Sequence, residues 1–205
     1  LSRHDPGNAA WRRSHGNALV ALATAELACG DLEAADAAMD LARPVLASAL
    51  AEAPKEELAI SYFVRAGLID AELALLAGRD AQAQSSLARV RDVLDAGWQR
   101  APSDALRQLL ARHEQLQAEV LERQGDAAGA KALRAAALAR LHSGTDGEPD
   151  FDDLELAWSL QRSLGQADAA AASLDRLRAA GAAPDAVAAC TPLPAGLPAS
   201  QRASR

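Results

Sequence analysis

The chain has few aromatic residues and no long apolar run, and each shortage excludes a class of protein. Aromatic residues make up 3% of the 205 residues, and Val, Ile and Thr are also scarce. Because these residues favour β-strands, the composition argues against a sheet. No apolar stretch reaches the roughly 18 residues that span a bilayer, and no basic and then apolar signal segment opens the sequence. The sequence therefore predicts a cytoplasmic protein with no direct membrane insertion.

Basic charge is also in short supply, since the formal net charge is -7 and the pI is near 5.1. Proteins that bind nucleic acids usually carry a basic stripe, so we expect no nucleic-acid partner. The cations are almost all Arg, which together with the excess of Ala favours a bacterial source. Because the first residue is Leu1 rather than Met, we expect a piece of a longer protein. A periplasmic location is the alternative if that protein is anchored in a membrane.

The two cysteines, Cys29 and Cys190, are far apart in the sequence. Cys29 lies on an apolar helical stretch and is predicted to be a small buried hydrophobic residue. Neither a disulfide between the two nor a redox role for either is indicated by the sequence, and both stay open at this point.

Alanine is abundant, and it indicates many thin helix–helix contacts in place of one bulky core. Half of the residues are hydrophobic, and much of that half is Ala, which has the highest helix propensity. Apolar residues recur every three or four positions, as they do on one face of a helix. The sequence predicts an all-α fold with helices at about 9–29, 31–52, 55–77, 80–100, 103–124, 126–142, 150–164 and 167–180. Pro44 should kink the second helix or end it early.

A turn recurs four times, and each copy ends one apolar stretch with Gly and starts another with a polar residue. Gly supplies the left-handed conformation that stops a helix, and a following Asp can cap the next one. An Ala five residues later lets the second helix pack closely on the first. The Gly/Ala pairs are Gly30/Ala35, Gly78/Ala83, Gly125/Ala130 and Gly165/Ala170.

The spacing of these glycines is 48, 47 and 40 residues. A repeat of this kind predicts a right-handed solenoid of about four antiparallel helical hairpins over residues 1–181. Residues 182–205 contain four prolines among Ala, Ser and Gly and are predicted to form a flexible tail.

The turns resemble those of the tetratricopeptide repeat, whose hairpins join at Gly-Asp or a close variant. The segment Asp5-Pro6-Gly7-Asn8-Ala9-Ala10-Trp11 also resembles one that precedes a first helix in long bacterial arrays of this family. The resemblance covers residues 5–180. It implies a scaffold that binds a protein or peptide partner on a concave face lined by the first helix of each hairpin. It also implies an alternative, a regulatory or sensor segment of a bacterial Ser/Thr kinase or transcriptional regulator.

Polar residues on the predicted first helices are the candidates for partner binding. The alternative for each is an ordinary solvated helix surface. If the turn glycines set the register, the candidates are Asn17, Thr24, Arg65, Glu72, Arg112, Gln115, Glu119, Asp152, Glu155 and Arg162.

Trp11 is a candidate for an interface at the N-terminal end. It lies one turn into the first helix, where a large aromatic residue would pack against a preceding hairpin. We expect it to be partly exposed, or covered by an upstream domain or by a second copy in a homodimer. The alternative is that it packs on its own second helix.

No motif predicts catalysis, a cofactor or a metal site. His113-Glu114 begins a zinc-protease pattern, but Gln117 stands where the second His is needed, so an exposed polar helix surface is predicted. The acidic run from Asp146 to Asp153 lacks the spacing of a calcium loop and is predicted to be the acidic N-terminus of a helix. We therefore expect a non-catalytic protein.

Removal of residues 184–205 is expected to change the melting temperature little, because this segment has few apolar residues that could pack. The measurement is thermal denaturation of the full and the shortened chain, followed by circular dichroism. A large drop in the melting temperature of the shortened chain would show that the segment docks on the helices.

Overall fold

The structure, a computed structural model, describes residues 8–143 and 150–181, and these form eight α-helices. Helices account for 86% of the described residues, among which there is no strand, so the predicted all-α fold is confirmed. Each predicted boundary lies within about two residues of the observed one. The tail predicted for residues 182–205 lies outside the described residues. The helices are α1 Ala9–Ala28, α2 Leu32–Glu52, α3 Glu57–Leu76, α4 Asp80–Arg100, α5 Asp104–Arg123, α6 Ala127–His142, α7 Phe151–Ser163 and α8 Ala167–Ala179.

Each recurring glycine ends a helix with the same pair of backbone hydrogen bonds. At the first turn, the amide of Gly30 donates to the carbonyl of Leu27, and the amide of Asp31 donates to the carbonyl of Glu26, both at 2.9 Å. Gly30 has a φ of 76°, which a side chain would make unfavourable. The predicted left-handed conformation is confirmed, with the same bonds, at Gly78, Gly125 and Gly165.

The residue after each of these glycines is also the N-cap of the next helix, so only three residues separate the two helices. The side chain of Asp31 accepts a hydrogen bond from the amide of Ala34 at 2.9 Å, and that of Asp126 accepts one from Gly129 at 2.8 Å. Arg79 and Gln166 occupy the equivalent positions without a side-chain cap. Both predicted Asp caps are therefore confirmed.

Small residues lie where the two helices of a pair meet. The Ala five residues after each turn glycine is buried, as predicted, at Ala35, Ala83, Ala130 and Ala170. The most extensive helix–helix contacts are those within α1–α2, α3–α4, α5–α6 and α7–α8. A short turn followed by a buried Ala therefore defines each helix pair.

The apolar core consists of three clusters, and two helices belong to more than one of them. The first cluster joins α1, α2 and α3, the second joins α3, α4 and α5, and the third joins α5, α6 and α7. Because α3 and α5 each contribute to two clusters, most of their circumference is covered. They hold the largest numbers of buried residues among the eight helices.

Of the two effects predicted for Pro44, an early end of the helix is wrong, because α2 continues from Leu32 to Glu52, whereas a kink stays a prediction. Proline removes the amide that would bond to the carbonyl of Asp40. Both Pro44 and Asp40 are exposed, so water can bond to that carbonyl. On the other side of α2, buried residues that include Met39 and Leu46 hold the helix against its neighbours.

The predicted burial of Cys29 is also wrong. α1 ends at Ala28, so Cys29 is the C-cap, one position beyond the helix, and it is exposed. The question of a bond to Cys190 falls outside the described residues.

Ala83→Leu is expected to lower the free energy of unfolding by about 1–3 kcal/mol, because a larger side chain overfills the contact between α3 and α4. Ala88→Leu is the matched control, since Ala88 is exposed on the same helix, and its effect should stay within about 0.5 kcal/mol. Chemical denaturation of both variants measures the difference. Equal losses in the two variants would contradict close packing at Ala83.

Candidate interaction surface

The four odd-numbered helices form one connected surface, which we call the odd-helix face. α1 contacts α3, α3 contacts α5, and α5 contacts α7. All ten residues predicted for partner binding lie on these helices. α1 carries Asn17 and Thr24, α3 carries Arg65 and Glu72, α5 carries Arg112, Gln115 and Glu119, and α7 carries Asp152, Glu155 and Arg162.

A chain of polar contacts crosses this face at its centre. One terminal nitrogen of Arg112 donates to Glu72 Oε2 at 2.8 Å, and the other donates to Gln115 Oε1 at 2.8 Å. Gln115 Nε2 in turn donates to Ser159 Oγ at 3.2 Å. The chain therefore links α3, α5 and α7 through three predicted residues, Glu72, Arg112 and Gln115, and through Ser159, which the sequence analysis did not name.

A second contact joins α3 to α7 above α5. The guanidinium of Arg65 lies 3.8 Å from a carboxylate oxygen of Asp152, and both residues are exposed. Gln115 on the intervening helix is buried. In this part of the face α5 thus lies between α3 and α7 and contacts both through side chains. We call this part of the face the α5 groove.

Glu119 lies half-buried on α5, one turn beyond Gln115. Burial raises the pKa of Glu119, with a smaller contribution from the carboxylate of Glu72, while the charge of Arg112 acts in the opposite direction. Within residues 8–143 and 150–181, its carboxylate forms neither a hydrogen bond nor an ion pair. Glu119 is therefore a partly desolvated acid on the helix at the centre of the α5 groove.

The remaining candidates lie outside the central contacts. Thr24 donates its hydroxyl to the carbonyl of Val20 in its own helix at 2.9 Å, and Asn17 lies half-buried on the same helix. Glu155 is exposed on α7. The guanidinium of Arg162 stacks over the ring of Trp158, 4.9 Å from its centroid, in a cation–π contact.

Trp11 is half-buried in the first turn of α1, where its amide donates to the side chain of Asn8 at 3.1 Å. A role as an interface with an upstream domain or with a second copy stays a prediction.

Two ionic contacts, each centred on a buried side chain, hold the helices that carry this face. Asp70 of α3 accepts from Arg43 of α2 and from Arg89 of α4, at 2.8 Å each. Arg107 of α5 donates to Asp153 of α7 at 2.9 Å and to the carbonyl of Leu141 in α6 at 2.8 Å. Each contact joins three helices, so together they fix α3, α5 and α7 relative to their neighbours.

The predicted exposure of His113 and Glu114 is wrong, because they are 4% and 5% exposed. α5 packs against α3, α4, α6 and α7, which leaves little of its surface for solvent. Glu114 pairs with Arg140 of α6. No pattern within α5 reveals this burial, since polar residues there occupy positions that neighbouring helices cover.

The acidic start of α7 is confirmed in part. Asp150 is the N-cap and accepts from the amide of Asp153 at 2.9 Å, and Asp152 lies in the first turn. Asp153 differs from the prediction because its side chain turns inward to Arg107. Asp146 and Glu148 lie outside the described residues.

No protein-family model, curated protein or solved structure matches this chain. What the structure defines is an all-helical array in which neighbouring helices contact each other. In the described part of the chain, no helix has both the length and the apolar character needed to cross a bilayer.

The imidazole of His113 is buried between α4 and α5, and this has a consequence for acid stability. Its Nε2 donates to the carbonyl of Leu87 at 3.2 Å, whereas Nδ1 is buried without a partner. Burial lowers the pKa of His113, and the nearby charge of Arg91 acts in the same direction; the bond to Leu87 and the charges of Glu114 and Asp95 oppose it.

The free energy of unfolding should therefore fall as the pH drops below about 6.5, the ordinary pKa of histidine. In that range the unfolded chain takes up a proton at His113 that the folded chain does not, and the loss continues until the lowered folded pKa is reached. His113→Gln should show a smaller fall between about pH 7 and pH 5 in denaturant titrations. His142→Gln is the control, because His142 is exposed, and it should keep the dependence of the parent chain. An unchanged pH dependence in His113→Gln would contradict this account.

Proposed function

We propose that this chain is a non-catalytic scaffold that binds a peptide or a helix of a protein partner in the α5 groove. The observation that carries the proposal is the convergence of polar side chains from three successive odd helices. Arg112, Gln115 and Ser159 belong to α5 and α7 and form one hydrogen-bonded chain with Glu72 of α3. A surface built from several repeats in this way suits an elongated ligand that contacts each of them in turn.

The proposed architecture is a right-handed solenoid of about four antiparallel hairpins of the tetratricopeptide kind. Its support is the repeated local structure: a glycine with positive φ, the same two backbone bonds, and a buried Ala five residues later. Contacts between successive odd helices add to that support, because stacked hairpins place their first helices side by side.

The charges on this face also favour a role in binding over a role in catalysis by proton transfer. The ionisable groups of Arg112 and Glu72 neutralise each other, as do those of Arg65 and Asp152. Such pairs position side chains across helices. We therefore propose that the chain is not an enzyme and that its partner is a protein.

A second candidate is a regulatory or sensor segment of a larger bacterial signalling protein. The observation that favours it is the partial exposure of Trp11, in a segment that resembles the joint between hairpins of longer arrays. An upstream domain, or a second copy of the chain, would cover the indole ring in that case.

Arg65→Glu tests the groove as the binding surface. The reversed charge should change capture of the native partner by roughly fivefold or more, and capture of a cationic partner should become stronger, because Arg65 is exposed beside Asp152 on this face. The measurement is quantitative affinity capture from an extract of the source organism, with far-UV circular dichroism to verify the fold.

Lys131→Glu is the matched control, since it makes the same charge reversal on an exposed position of the even-numbered helix α6. Capture that is lost in Lys131→Glu and retained in Arg65→Glu would place the binding surface on the even-numbered helices.

A further inference from the structure

The arginines of the odd helices are all engaged within the part of the chain that the structure describes. In the α5 groove, Arg65 pairs with Asp152 and Arg112 with Glu72. Arg162 stacks over the ring of Trp158. The remaining pairs are Arg12–Glu52, Arg13–Glu56, Arg107–Asp153 and Arg123–Asp80. The odd-helix face therefore presents little uncompensated positive charge to a ligand.

The carboxylates of the same helices are not all engaged. Among the described residues, Glu119 on α5 and Glu155 on α7 form no ion pair, and neither does Glu26 on α1. The odd-helix face thus carries an excess of negative charge in a chain whose formal net charge is already -7. A cationic ligand would complement this charge, whereas an anionic one would meet repulsion.

Among these carboxylates, Glu119 is the one at which pairing with a cation of the ligand should be most favourable. Its carboxylate has lost part of its hydration and forms no ion pair, and Arg112, the arginine whose charge acts on it most, already donates to Glu72 and Gln115. Arg134 and Arg123 act on it more weakly and are paired with Glu122 and Asp80. Transfer of a charge out of water is unfavourable unless an opposite charge compensates it. A Lys or Arg side chain from outside would supply that compensation.

Exposed apolar residues flank the charged positions. On α3, Leu58, Arg65 and Glu72 are seven residues apart, so they lie along one stripe, which Leu76 continues. Leu58 and Leu76 are exposed, and so is Phe151 at the start of α7. The groove therefore presents apolar contacts next to its carboxylates.

We propose that the α5 groove binds a basic amphipathic segment of a protein partner, with one Lys or Arg paired to Glu119 and another to Glu155. The apolar side of the segment would contact Leu58 and Leu76 on α3 and Phe151 on α7. This proposal rests on the groove being the binding surface, and it adds the chemical class of the ligand.

A synthetic amphipathic helix with Leu on one side and Lys on the other is the probe. A second peptide, in which Glu replaces every Lys, is the comparison. Fluorescence anisotropy with the full chain should show tighter binding of the Lys peptide, weakened by added salt. Glu119→Gln should weaken binding by about tenfold, since one such contact corresponds to roughly a factor of ten.

The control is Asp92→Asn, which removes one negative charge from an exposed position on α4. It should change the affinity by less than about twofold, because surface charges outside the groove act weakly through solvent and salt. Glu155→Gln is a second variant at an exposed position, and a loss of affinity there supports the proposal even if Glu119→Gln folds poorly.

Equal losses in Glu119→Gln and Asp92→Asn would overturn the proposal, since the peptide would then respond to net charge alone. Equal or tighter binding of the Glu peptide would overturn it as well. Either result leaves the capture experiment with Arg65→Glu unaffected, so a wrong ligand class and a wrong binding surface are distinguishable.

Discussion

A buried alanine stands at the same place in every helix pair, and the close approach of the two helices depends on it. The glycine turn before it leaves only three residues between two helices, and the Ala then allows close approach. Because the second helix of each pair packs back on the first, the next odd helix can contact the previous one. The odd-helix face therefore results from the short glycine turns that join the two helices of each pair.

Ionic contacts around Asp70 and Arg107 further restrict how the helices are oriented relative to their neighbours. Asp70 joins α3 to α2 and α4, and Arg107 joins α5 to α6 and α7. Such pairs contribute little net stability relative to apolar residues, but a buried charge such as that of Arg107 is uncompensated when its partner Asp153 is lost. They thus disfavour arrangements in which neighbouring pairs slide or rotate. The polar chain through Arg112 depends on this, because its hydrogen bonds require α3, α5 and α7 at fixed distances.

Local signals in the sequence were sufficient for the helices and the turns. They failed where the answer depends on what a neighbouring helix covers. His113 and Glu114 look like an exposed polar pair, yet α5 is enclosed on several sides. Arg65 and Arg112 occupy equivalent repeat positions, but Arg65 reaches forward to α7 whereas Arg112 reaches back to α3. Which neighbouring helix each arginine contacts depends on how the helices pack, and the sequence of one helix alone does not determine it.

Contacts between elements that are close in the sequence also determine how the molecule would respond to tension. A force applied between its two ends passes through one helix pair after another, so the weakest junction yields first. α7 and α8 are the shortest helices, with 13 residues each, and α7 makes less extensive contacts with α5 and α6 than other neighbouring helices make with each other. Separation there would pull Asp152 away from Arg65 and remove one side of the α5 groove. The ligand proposed for that groove would therefore lose its contacts with α7 when this junction separates.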